Sequence, residues 1–132
     1  MKSRDTFLRL KRFQAQEKRR RAAQIEMMIA EFERMAGDLD REIAQEEERS
    51  GHSDPSHFAY PTYAKAARSR RDNLVSSASE LKGQLSEAKA ELTEALEELG
   101  KAESLDDRER AGDEWRAPEA RAAGARMSRA GA

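Results

Sequence analysis

The sequence predicts an all-α protein: a long antiparallel two-helix coiled-coil hairpin with a disordered C-terminal tail. Three observations lead there. Apolar and small residues recur every 3.5 residues in two long stretches; a dense turn signal separates the stretches; and charge runs in blocks that cancel when the chain doubles back. The predicted boundaries are residues 1–104 for the hairpin (helix about 3–50, turn 51–60, helix about 61–104) and 105–132 for a flexible tail.

In the first stretch one seam position reads Leu8, Ala15, Ala22, Ile29, Ala36, Ile43, and the other reads Lys11, Lys18, Ile25, Phe32, Leu39, Glu46. No proline interrupts it. A 3.5-residue period sustained this long specifies a supercoiled helix with a partner. At about 1.5 Å per residue the helix reaches roughly 65–70 Å, too long for a compact core to enclose. Ser3 is the expected N-cap, with Asp5 in the first turn, where the helix dipole favours an anion. Gly51 suits the left-handed residue that ends such a helix.

The tip, Gly51-His52-Ser53-Asp54-Pro55-Ser56, is punctuated by turn formers. Asp54 is placed to cap one short helical turn, and Pro61 suits the first turn of the next helix. The second seam then holds Ala64, Arg71, Ala78, Leu85, Leu92, Leu99 at one position, and Tyr60, Ala67, Leu74, Leu81, Ala88, Ala95, Ala102 at the other. Size complementarity sets a register in which Phe32 meets Ala78, Ala36 meets Leu74 and Ile29 meets Leu81. On the flanks Arg21 nears Glu91, Glu42 nears Arg70, and Phe7 nears Leu105. From Asp106 the sequence is broken by Gly112, Pro118, Gly124 and Gly131, with a single Trp115; hence the expected tail.

A net charge of −1 conceals strong segregation. Residues 1–24 carry nine Lys/Arg against two acids, a net +7; residues 26–54 carry three against ten, a net −7. Residues 62–75 are net +3 and residues 80–109 net −6. Folding at Pro55 lays opposite blocks side by side, whereas a parallel homodimer stacks like on like. Each exposed pair is worth only a few tenths of a kcal/mol, but together they select orientation.

Charged residues are 39% of the 132, and mean hydropathy is −0.99. Such a composition suits a solvated rod or a disordered chain, and the strict period decides for the rod. With no cysteine there is no disulfide or thiolate chemistry, which fits the cytoplasm. The longest uncharged run, Pro55 to Ala64, is too short to span a bilayer, and the charged start predicts no signal peptide. No phosphate-binding glycine loop, dinucleotide turn or nucleophile signature is present. The chain therefore reads as non-enzymatic, without catalytic, cofactor-binding or metal-ligating residues; His52 and His57 read as turn residues and Glu46-Glu47-Glu48 as a solvated face.

Three features suggest partners instead. Leu10 and Phe13 lie off the seam, where a two-helix rod shows its side chains to water. Lys18-Arg19-Arg20-Arg21 reads as a pairing block for the acidic second helix, as a surface for an acidic protein, or as the basic region of a nucleic-acid binder. The last is weakened because the only asparagine is Asn73. Phe58, Tyr60 and Tyr63 cluster at the tip, either packing the hairpin's end or serving as binding anchors. A generic coiled-coil scaffold explains the seam equally well.

The stretches outside the seam carry a resemblance. Met1-Lys2-Ser3-Arg4-Asp5 running into Leu8-Arg9-Leu10-Lys11-Arg12-Phe13, followed by Glu17-Lys18-Arg19-Arg20-Arg21, resembles the start of the flagellar export protein FliJ family in its short α-proteobacterial form. His57-Phe58-Ala59-Tyr60-Pro61-Thr62-Tyr63-Ala64 and Arg70-Arg71-Asp72-Asn73-Leu74 are similar too, and the likeness covers roughly residues 1–110. It implies a stalk of the flagellar type III export apparatus, cytoplasmic and peripheral to the inner membrane at the flagellar base. The implied partners are the hexameric export ATPase, the membrane export gate and the export chaperones, with neither nucleic acid nor membrane insertion. Leu10, Phe13, Lys18, Arg19, Arg20 and Arg21 are then expected to face the ATPase ring, and Phe58, Tyr60 and Tyr63 the gate.

Overall fold

The computed structural model describes the backbone of residues 2–130 and the side chains of residues 3–115. Two helices account for nearly all of it: α1, Lys2–Ser50, and α2, Thr62–Ala130, with no strand among the described residues. The all-α class and the pairing of two long helices are as predicted. The chain divides into two compact units, Lys18–Leu92 and Met1–Glu17 with Thr93–Ala132.

In the unit Lys18–Leu92 the helices run antiparallel on either side of the turn. Ala22, Ile25, Ile29, Leu81 and Ala88 form one buried cluster, with Phe32 and Leu85 packed against it. Leu39, Ile43 and Ala67 form a second, flanked by Leu74. These are predicted seam residues, and Ile29 shares its cluster with Leu81 as the register requires, large alternating with small so that ridges interdigitate; on the flanks Glu91 bonds Lys18 rather than Arg21, and Glu42 bonds Tyr63 rather than Arg70. Ion pairs edge the seam: Lys18 to Glu91 at 2.9 Å, Lys82 to Glu33 at 2.9 Å, Lys89 to Glu26 at 3.5 Å, and Arg71 to Asp40 at 2.9 Å. Arg71 occupies a seam position yet keeps its guanidinium at the margin, where the Asp40 hydrogen bond, then that from Asp72, raises its pKa.

The turn is built by short-range hydrogen bonds. Gly51, at φ 75°, closes α1 by donating its N–H to the Glu47 carbonyl at 3.0 Å. The Asp54 carboxylate accepts from the Ser56 N–H at 3.0 Å and the Ser56 hydroxyl at 2.7 Å, the expected cap. The His57 N–H donates to the Asp54 carbonyl and the Tyr60 N–H to the His57 carbonyl, giving two successive tight turns rather than the short helical turn expected there. Pro61 precedes α2 and accepts from the Lys65 N–H at 3.1 Å.

In the unit holding both ends, Leu8, Ala15 and Ala102 are buried. Two further seam positions of α1 are cationic. Lys11 reaches Glu98 at 2.9 Å, and Arg4 lies 2.9 Å from Asp106, 3.1 Å from Glu109 and 3.3 Å from Asp113. The Arg4–Asp106 approach is a charge contact without hydrogen-bond alignment. Arg110 adds a 2.8 Å bond to Asp106 and lies 3.8 Å from Asp5.

Two expectations differ here. Ser3 lies inside α1 rather than capping it, since helical geometry already holds at Lys2. The boundary at 104 is not a helix end: α2 continues through Gly112 and Pro118 to Ala130. For residues 105–113 the physical reason is the charge contact with Arg4. Asp106 falls one heptad after Leu99, so it continues the seam, and Arg4 neutralises it there. The rest of the expected flexible tail, in the side chains of 116–132 and the backbone of 131–132, lies outside the described residues.

Two outcomes test this packing. Ile29→Ala is expected to lower unfolding free energy by about 2–3 kcal/mol in urea titration, near the lower end for a buried isoleucine because the seam is open to water on both sides. Asp106→Ala is expected to speed amide exchange in the first two turns of α1 while leaving residues 22–32 as protected as before, because it strands Arg4 and the apolar cluster around Ile29 is held by other residues.

Candidate functional site

Among the described residues no group of three or more His, Asp or Glu side chains could hold a metal ion. No described helix is long and apolar enough to cross a membrane. What remains is surface, and it divides by unit.

At the chain ends, Leu10 and Phe13 are exposed, Phe13 to 61%, because both sit on the side of α1 turned from the seam. Nearby, Phe7 and Leu105 line a shallow cleft of about 270 Å³ with Lys11, Glu98, Lys101 and Ala102. The Lys11 ammonium lies 5.5 Å from the Phe7 ring centroid, within cation–π range, while it pairs with Glu98. Phe7 and Leu105 are thus neighbours as the register predicts, but half-exposed. Sequence reasoning placed them as a flank pair and missed that they open an apolar cleft. The signal was there: two large apolar residues on flank positions beside the alanine at 102.

In the unit Lys18–Leu92, Lys18 is committed to α2. Its ammonium bonds Glu91, and that hydrogen bond, followed by the same charge at a distance and by Arg21, lowers the Glu91 pKa. Arg19, Arg20 and Arg21 are exposed. The basic run therefore divides in use, one cation tied to the second helix and three at the surface.

The tip aromatics also divide. Tyr60 is buried, its hydroxyl without a hydrogen-bond partner among the described residues, so its ring belongs to the packed end of the seam. Tyr63 is half-exposed, and its hydroxyl donates to Glu42 at 2.8 Å, which with the Glu42 charge raises the phenol pKa. Phe58 is 96% exposed. It ends a column of three rings: His52 on His57 at 4.4 Å and 18°, and His57 on Phe58 at 4.7 Å and 25°. The Ala59 N–H donates to His57 Nδ1 at 3.0 Å, fixing the middle ring. A fully exposed phenylalanine held this way is presented to the surroundings rather than packed.

No known family's sequence model matches the chain, and no curated protein or solved structure is significantly similar to it.

The Asp54 cap gives a pH test of the tip. Hydrogen bonds from the Ser56 backbone, then from its hydroxyl, hold the Asp54 pKa below the ordinary carboxylate range. A carboxyl lowered on folding stabilises the turn above its unfolded pKa of about 4 and loses that contribution as pH falls through the folded value. The Ser56 amide proton shift is expected to titrate with a midpoint below about 4; a midpoint at or above it rejects the cap.

Proposed function

We propose that the chain is a coupling stalk of the flagellar type III export apparatus, binding the hexameric export ATPase through its end residues and the export gate through its tip, and serving export chaperones. On this reading it works in the cytoplasm, at the membrane face of the flagellar base. The single observation that carries it is the exposure of Leu10 and Phe13, which sit in the stretch resembling the FliJ family and belong to neither buried cluster. Large apolar side chains on an otherwise charged helix face are where a protein partner gains most of its binding energy.

The chemistry supports coupling rather than catalysis. A helix pair bound within a ring makes different contacts with each subunit. It can favour one nucleotide state at one subunit over its neighbours, and by linkage the nucleotide state then alters affinity for the stalk. Arg19, Arg20 and Arg21 offer charge for an acidic rim, and Lys18 adds to it while bonded to Glu91. At the tip, Phe58 is the strongest candidate for a gate anchor. Tyr63 can contribute its ring face while bonded to Glu42, and Tyr60 acts from behind by holding the turn.

The double variant Phe13→Ala, Arg20→Ala is expected to weaken binding to the purified export ATPase about tenfold or more, with far-UV circular dichroism unchanged. Undiminished binding removes the ATPase assignment. Failure of the unaltered protein to bind leaves a scaffold coiled coil.

A further inference from the structure

A second face of the molecule has a pattern that the stalk reading does not use. Glu97, Gly100, Lys101, Ser104, Leu105 and Arg108 line an open groove of about 760 Å³ along α2. All six are exposed. They lie to the outside and flank of the helix, away from the seam residues Leu99, Ala102 and Asp106. Among the described residues Glu97, Lys101 and Arg108 make no ion pair within the chain, unlike Glu98 and Arg110 beside them.

We propose that this face pairs with the same face of a second copy of the chain, α2 against α2 in opposite directions about a two-fold axis. The reason is that the row is complementary to itself when reversed. Centred between residues 102 and 103, the reversed copy sets its Arg108 opposite Glu97, its Leu105 opposite Gly100 and its Ser104 opposite Lys101. The symmetry makes each pairing twice. Opposite charges meet at both ends of the row, and no like charges meet within it. A parallel copy would put Glu97 on Glu97 and Arg108 on Arg108.

Shape agrees with charge. A side chain at Gly100 would meet nothing within 4 Å, so a gap lies open there. Leu105, half-exposed, is the knob of matching position, and each copy supplies one gap and one knob. Phe7 shares the adjoining cleft with Leu105 and Lys101, so apolar contact extends onto α1. A partner of one charge sign would leave either Glu97 or Arg108 unmatched; a second copy satisfies both. Leu10 and Phe13 are not among these residues, so pairing here and ATPase binding stand or fall separately.

Sedimentation equilibrium of the full chain, from micromolar to millimolar, tests the proposal. The mass is expected to rise with concentration from 14.9 kDa toward twice that value. Glu97→Arg and Arg108→Glu are each expected to weaken association about tenfold or more, and the two together to restore it, because the double variant rebuilds the pair with its signs exchanged. Gly100→Leu is expected to abolish association with helicity intact, since the new side chain has room within one chain but fills the gap the knob needs. A protein that stays at 14.9 kDa throughout overturns the proposal. So does a dimer indifferent to these changes, or single charge reversals that the double variant fails to rescue.

Discussion

In the unit Lys18–Leu92, Ile25 and Ile29 close on Leu81 and Leu85 while Ala22 and Ala88 leave them room, and this alternation governs how near the two helices come. A pair of helices has one line of contact and no third element to cover it. Each seam residue is therefore buried from two sides only, and among the described residues no large side chain reaches complete burial. Stability has to come from many modest contacts in one register. A slip by one residue would turn the apolar line toward water and bring charge into the seam, so register and stability are the same constraint.

That constraint made much of the fold legible. The residues at Leu8, Ala15, Ala22, Ile29, Ala36 and Ile43 are all buried, as a strict period requires. The turn was legible because its residues act locally: Gly51 through its own dihedral angle, Asp54 through an oxygen two residues from the amide it caps. The far part of α2 was not. Asp106 looks like the end of an apolar pattern when α2 is read alone. Its place in the seam depends on Arg4, a residue distant in sequence, and a carboxylate becomes a seam residue only when its counter-charge is delivered. Ion pairs across helices carry no periodic signal, so a reading by hydrophobic period stops one heptad too soon.

The surface was legible in part. Leu10 and Phe13 stood out because they violate the pattern, and they are exposed as a violation implies. The tip aromatics could not be separated by sequence. Tyr60 satisfies the seam period and a binding-anchor composition equally, and burial decides for the seam. Phe58 has no seam role, and the stacking of His52 and His57 beneath it follows from the turn's path rather than from residue type. Lys18 and its three arginine neighbours look uniform as a basic run. Helical geometry divides them: Lys18 lies on the seam and bonds Glu91, while Arg21 acts on that carboxylate through its charge alone.

The charges around Arg4 carry a consequence for how the two units respond to their medium. Dissolved salt weakens attraction between partly exposed ions, over a Debye length of about 8 Å at physiological ionic strength and about 3 Å at 1 M, while leaving apolar burial intact. Cohesion among Arg4, Asp106, Glu109 and Asp113 is of the first kind; cohesion among Ile25, Ile29, Leu81 and Phe32 is of the second. Counter-ion concentration is thus a dial that acts on the Arg4 group directly, and on the unit Lys18–Leu92 only through the ion pairs that edge its apolar line.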